Sequence, residues 1–318
     1  MGRGRSLLVY RRVVRGCLLW LLASCSFTAS PIVGDGGDGG DGGGSGDGGE
    51  TPDAPAPDAS FDGPLPDADA DVDGIADATD NCPTVANANQ RDHDLDVRGD
   101  ACDHCPHLPD ATDPDGDGDG LGDACDPRPA AAGDTLIAWD GFYADSTVLT
   151  TWTTANGTWS VANGTLRQTT GQTVAFVTAP GTIQRVYAAY GFAAVSVGPA
   201  ITINGTTYAP AVGDFAGVGQ NRNYGCAMTR DPGNRVTAFS TIDGVLQNSP
   251  GVWNGDFAAG QRYRITQHLA TTNACTFVHA TATAMDSQAV GVTSGTFSLF
   301  TTASAIDFDY VFLVETGA

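Results

Sequence analysis

The sequence predicts an all-β protein in two parts, an irregular repeat segment stapled by cysteines and a C-terminal β-sandwich. Three observations carry this. Aspartates recur with a period of 23 residues between Asp69 and Asp126. Residues 134–318 are rich in Thr, Val, Ala, Phe and Tyr, and Asn-Gly and Asp-Gly pairs interrupt them as hairpin turns would. No segment sustains a helical period.

The first elements along the chain are an address and a tether. Arg3, Arg5, Arg11, Arg12 and Arg15 precede a short apolar stretch, Cys17 to Ala23, which is too short to span a bilayer comfortably. Leu22-Ala23-Ser24-Cys25 follows directly and resembles the lipobox of bacterial lipoproteins. That resemblance implies a signal peptide over 1–25, an acylated Cys25 and, with Ser26 next, an outer-membrane location; simple cleavage near Ala29 is the alternative. Residues 26–66 run through Gly/Asp-rich and then Pro/Ala/Asp-rich sequence. Such composition cannot bury enough apolar surface to offset chain entropy, so a disordered tether is expected there.

Residues 67–129 form the third element. Five columns hold aspartate in all three copies: Asp69, Asp92, Asp115; Asp71, Asp94, Asp117; Asp73, Asp96, Asp119; Asp77, Asp100, Asp123; and Asp80, Asp103, Asp126. Alternate carboxylates can surround one centre, a glycine at the sixth position permits a sharp turn, and the seventh offers a carbonyl, here Ile75, Arg98 or Leu121. Hard oxygen donors in this spacing suit calcium. The twelfth position is aspartate where an EF-hand has glutamate, and Pro83 and Pro106 prevent a following helix. In the middle copy Val97 replaces the glycine and Arg98 the aliphatic residue, so the weakest site is expected there.

Cys102 and Cys125 share one repeat column, and Cys82 and Cys105 another. Four cysteines allow three connectivities, and the repeat symmetry prefers Cys82–Cys102 with Cys105–Cys125. The rival readings of Cys102-Asp103-His104-Cys105, a redox dithiol or a zinc site with His104 and His107, require those two cysteines to act together. The repeat assigns them to different loops.

Residues 67–127 are similar to thrombospondin type 3 repeats, through Asp80-Asn81-Cys82-Pro83, Asn87, Gln90 and two copies of Gly-Asp-Ala-Cys-Asp at 99–103 and 122–126. The resemblance implies aspartates wrapped around calcium ions, bridges between sequential cysteines, a wire-like stalk, and Asn87 as an additional ligand.

Residues 134–318 form the last element. Asn156-Gly157, Asn163-Gly164, Asn204-Gly205 and Asp243-Gly244 are read as hairpin signals. Between Ala305 and Glu315, alternation places Ile306, Phe308, Tyr310, Phe312 and Val314 on one face. Residues 139–168 and 306–315 resemble the concanavalin A-like jelly roll shared by lectin-like, laminin G-like and glucanase domains. Cys226 and Cys275 are expected to form a third bridge, as suits an oxidising compartment.

These features bound the function. The chain has no lysine, which excludes Schiff-base chemistry and a phosphate-loop lysine. A net charge of -22, concentrated before residue 134, repels nucleic acid and attracts divalent cations. The glucanase pattern E-x-D-x-x-E is absent, since the only glutamates are Glu50 and Glu315, and His268 and His279 have no G-x-S-x-G partner. The expectation is a non-enzymatic, calcium-binding surface protein that presents a lectin-like or adhesion module to a glycan or another surface protein. The alternative is a carbohydrate-active hydrolase or its accessory subunit. Trp152, Trp159, Trp253, Tyr208 and Tyr224 are candidates for stacking on a sugar, with core packing as the competing role for each.

Overall fold

The computed structural model describes residues 68–317 apart from 172–173, 205, 218–221, 231–234, 243–244, 249–256, 281 and 290–294. The expectations for the signal peptide, Cys25, the tether, Asp243-Gly244 and Trp253 lie outside those residues.

The C-terminal part is an antiparallel sandwich. One sheet runs in the order Ala282–Ala289, Thr272–His279, Arg262–Leu269, Val186–Val197, Ser304–Glu315, Thr165–Gln168 and Trp159–Ala162, with Thr135–Asp140 also paired to Ser304–Glu315. The other runs Val245–Asn248, Arg235–Ile242, Arg222–Thr229, Ala211–Gly217, Phe297–Thr302, Val174–Thr178 and Thr153–Ala155. Leu166, Val177, Tyr190, Phe192, Ile265, Phe277, Leu299 and Phe308 fill the space between them. Cys226 and Cys275 stand on facing strands of the two sheets and are bridged, with Cα atoms 5.6 Å apart.

Two sequence expectations need correction. Asn163-Gly164 closes a two-residue hairpin with both φ positive, as a type I′ turn demands. Asn156-Gly157 also has two positive φ values, but it carries the chain from one sheet to the other, because Thr153–Ala155 pairs with Val174–Thr178 and Trp159–Ala162 with Thr165–Gln168. The second correction concerns the last strand. Its register against Val186–Val197 shifts between Phe308 and Tyr310, so a bulge at Asp309 exchanges the faces. Ile306, Phe308, Val311 and Leu313 point into the sandwich, whereas Tyr310, Phe312 and Val314 point outward.

The outward residues are covered by the repeats. Cys105, Leu121 and Cys125 form one apolar cluster with Tyr310, Phe312 and Val314, and Leu108, Trp139 and Tyr187 pack against it. The His107 ring lies 4.4 Å from Phe312 and 5.2 Å from Tyr310, and His93 lies 5.3 Å from both Trp139 and Tyr310. Arg91 pairs with Asp145 at 2.6 Å and sits over the Tyr143 ring. The repeat segment is therefore docked on the sandwich, not held away from it as the wire-like stalk expected from the family resemblance. The reason is energetic. A segment this poor in apolar side chains has little core of its own, and the unpaired apolar face of the last strand supplies one.

Candidate metal centres

Each repeat folds by the same hydrogen bonds, and aspartates supply most of the acceptors. The first aspartate, Asp69, Asp92 or Asp115, accepts the amides three and five residues on: Val72 and Gly74, Leu95 and Val97, Gly118 and Gly120; Asp92 also accepts the Asp96 amide. The third aspartate accepts the amide two residues on, from Ile75, Arg98 or Leu121. Asp77, Asp100 and Asp123 reach back to the amides of Ala70, His93 and Gly116 at 2.7–2.8 Å. Asp80, Asp103 and Asp126 accept from Cys82, Cys105 and Arg128.

This wrapping demands left-handed backbone at fixed places. The fourth position has φ of +64° at Val72, +66° at Leu95 and +78° at Gly118; the sixth has +94° at Gly74, +82° at Val97 and +94° at Gly120. Val97 thus adopts the turn that glycine makes in the other copies, and the middle loop keeps their geometry. Holding a β-branched residue there is strained. Val97→Gly is expected to stabilise the middle repeat by about 1 kcal/mol after the entropy cost of glycine. Thermal melts of both proteins check this, and an unchanged or lower midpoint would contradict it.

The motif glycines have a different cause. A Cβ on Gly99 would lie 2.7 Å from the Cys82 Sγ, and one on Gly122 at 2.7 Å from the Cys105 Sγ. The bridges Cys82–Cys102 and Cys105–Cys125 form as the repeat symmetry prefers, with Cα separations of 5.7 and 5.6 Å. Each closes a loop of 20 residues, for which the loop-entropy account gives about 3 kcal/mol. With Cys102 and Cys105 in separate bridges, the redox reading has no dithiol. His104 Nδ1 lies 2.8 Å from Asp113 Oδ2, and His107 is buried among aromatic rings, so the zinc reading has no ligand set here.

Three triads result: Asp69, Asp71 and Asp73; Asp92, Asp94 and Asp96; Asp115, Asp117 and Asp119. Within each, one carboxylate oxygen per residue lies within 4.8 Å of the others. The middle member is the informative one. Oδ2 of Asp71, Asp94 and Asp117 is buried without a hydrogen-bond partner in all three copies. Oδ2 of Asp80 and Asp126 is in the same condition. A buried carboxylate oxygen with no donor is costly, and a hard cation relieves that cost. Burial and then neighbouring carboxylates raise the Asp94 pKa to about 6. Burial raises Asp103 to about 7 and Asp126 to about 6. The donor set, all oxygen and rich in carboxylates, fits calcium.

Other expected site residues fall outside the triads. Asp77, Asp80, Asp100, Asp103 and Asp123 hold the loops through the backbone contacts above. Asn87 donates its amide N–H to Asp73 Oδ2 at 2.6 Å, while its side chain bonds to Asn81 and Gln90. Sequence reasoning missed the equivalent position in the next copy, where Asp110 N–H donates to Asp96 Oδ2 at 2.7 Å. Gln90, already part of the repeat motif, and Asp113, which was missed, share a column and accept the amides of Asn81 and His104. The same 23-residue spacing would have found both pairs.

In the sandwich, Asp307 and Asp309 are each paired with an arginine, Arg167 and Arg262. Trp152 and Tyr224 are buried in the core, and Trp159 packs against it beside Phe308. On the outer face of the second sheet, Phe176, Phe215 and Phe300 are half-buried, with ring centroids 5.5–6.4 Å apart. The Thr178 and Ser298 hydroxyls bond to each other on the same face at 2.8 Å.

Residues 62–90 match the family model "Thrombospondin type 3 repeat". No curated protein matches the chain in sequence. Among solved structures, the carbohydrate binding module CBM66 from Bacillus subtilis is 13% identical, with a TM-score of 0.40 over 52% of this chain and 96% of that one. Winged bean acidic lectin complexed with methyl-alpha-D-galactose is 7% identical, with a TM-score of 0.43 over 57% and 98%. The GH43 protein BlXynB from Bacillus licheniformis is 13% identical, with a TM-score of 0.42 over 56% of this chain; the match spans only 39% of that protein. Among the described residues, no helix is long and apolar enough to cross a membrane.

Proposed function

We propose that this chain is an exported, lipid-anchored calcium-binding surface protein whose repeats brace a glycan-binding sandwich and hold it on the bacterial outer membrane. One observation carries the calcium reading: the middle aspartate of all three triads has a buried, partnerless carboxylate oxygen. Asp69, Asp71, Asp73 and their counterparts supply ligands, with the carbonyls of Ile75, Arg98 and Leu121 completing the loops. Bound calcium neutralises the clustered charge. The chain's own contribution is to set the path of each loop with backbone hydrogen bonds and two disulfides, while the ion offsets the repulsion that opposes closing it, so binding and ordering are coupled.

For the sandwich, the supporting feature is the cluster of half-buried, mutually inclined rings of Phe176, Phe215 and Phe300 on one outer face, beside the half-buried Thr178. Aromatic surface of this kind suits the apolar faces of sugar rings, and a hydroxyl at its edge suits their rims. A glycan array together with a hydrolysis screen on the full chain tests this. Retention of a glycan without turnover is expected; turnover would favour the hydrolase alternative, and neither result would point to a protein partner. The anchor is tested at the mature N-terminus, where mass spectrometry should find acylated Cys25. An unmodified terminus near Ser30 would refute the anchor.

A further inference from the structure

A fourth acidic site lies where the repeats meet the sandwich. Asp119, Asp126 and Asp134 each offer a carboxylate oxygen within 4.8 Å of the others. Asp134 lies outside the repeat, one residue before the first sandwich strand, Thr135–Asp140. It is 4% exposed. Its Oδ1 is fully engaged, accepting from Arg128 Nε at 2.9 Å, Arg128 Nη2 at 2.7 Å and the Gly317 amide at 2.7 Å. Its Oδ2 is buried and receives no N–H or O–H donor from the described residues; it lies against the Asp126 carboxylate, whose own Oδ2 is buried in the same way. Asp119 Oδ2 fixes the approach of the chain by accepting the amides of Gly133 and Asp134 at 3.0 and 2.8 Å.

The charge balance indicates what belongs there. Asp119 is shared with the third triad, so the two sites are balanced together: the carboxylates of Asp115, Asp117, Asp119, Asp126 and Asp134 set against the Arg128 guanidinium leave four negative charges, which match two divalent cations. All donors are oxygens. From these observations we infer that Asp119, Asp126 and Asp134 hold a calcium ion that clasps the repeat array to the sandwich. The site joins three separate stretches of chain: the last repeat through Asp119 and Asp126, the start of the sandwich through Asp134, and the C-terminal end through Gly317. No single stretch contains enough donors alone. Docking of the array is thereby linked to calcium, since an ion that binds only the docked form favours it by mass action. The inference rests on the calcium reading of the repeats, and its test separates the two.

Calcium retained by the full chain is counted by native mass spectrometry for the unmutated protein and for Asp134→Asn, Asp134→Glu and Asp71→Ala. Hydrogen exchange is followed over residues 128–140 and 310–316. Asp134→Glu keeps the charge and the arginine partner, so it guards against simple misfolding of Asp134→Asn. Both Asp134 variants should hold one ion fewer than the unmutated protein and exchange at least tenfold faster in those segments. Asp71→Ala should also lose an ion but leave the exchange unchanged. An unmutated protein that binds no calcium overturns the reading of the repeats and the clasp together. If Asp71→Ala loses its ion while both Asp134 variants keep the full count, the clasp alone is wrong, and a proton shared by Asp126 and Asp134 takes its place.

Discussion

Chelating calcium from the full chain is expected to abolish the ordered repeat segment while the sandwich stays folded. Each triad sets three carboxylates within 4.8 Å, and without a cation that proximity is repulsive. A site filled at a hundredfold excess over its Kd contributes about 2.7 kcal/mol, so three independent triads contribute roughly 8 kcal/mol. The two repeat disulfides add about 3 kcal/mol each, but they act on the unfolded chain and do nothing to relieve the repulsion. Residues 69–80 should lose hydrogen-exchange protection first, because His93, His107 and Leu121 of the later copies carry the apolar docking. Trp139, Tyr310 and Phe312 should then become exposed and quench or shift the tryptophan emission. The Cys226–Cys275 bridge and the core around Phe192 and Phe277 belong to the sandwich alone, so its protected strands should be unaffected. Identical exchange with and without chelator would defeat this expectation.

The second large effect lies inside the sandwich. Asp214 is fully buried, accepts the Tyr190 hydroxyl at 2.8 Å and the Cys226 amide at 3.2 Å, and has its pKa pushed up to about 8 by burial. In the unfolded chain the same group ionises near 3.8. Between those values the folded state holds a proton that the unfolded state releases. Stability therefore falls as pH rises from about 4 to about 8. Asp214→Asn removes that slope and keeps both contacts, its carbonyl accepting from Cys226 and its amide donating to Tyr190. It should stabilise the sandwich by roughly 2–4 kcal/mol at pH 7 and by little at pH 4. Denaturant unfolding at the two pH values decides this; a variant equally or less stable than the parent at pH 7 would show that Asp214 is ionised in the fold.

The repeat was the most legible part of the sequence, for a physical reason. Its loops are specified locally, by aspartates that bond to amides two to seven residues away, so a 23-residue period carries almost the whole description. The disulfide pairing was legible through the same period. What escaped was everything set by long-range packing. The bulge at Asp309 cannot be read from an alternating strand, although the unbroken apolar run Val311–Val314 is what a strand buried on both faces looks like. That run, with Trp139 on the neighbouring strand, was the signal that something covers the outer face. Asp134 escaped because it sits in no repeat column; its partners Arg128 and Gly317 are brought to it only by the fold. Asp214 gave no warning either, since a buried aspartate looks like any other in the sequence.

Residues 69–126 are expected to form calcium sites, and counting the bound ions tests this most directly. Native mass spectrometry of the full chain, exchanged into volatile buffer from millimolar calcium and again after chelation, should show at least one calcium per aspartate triad in the first state and none in the second. A mass that does not change with calcium, in a protein whose three disulfides are intact, would contradict the account.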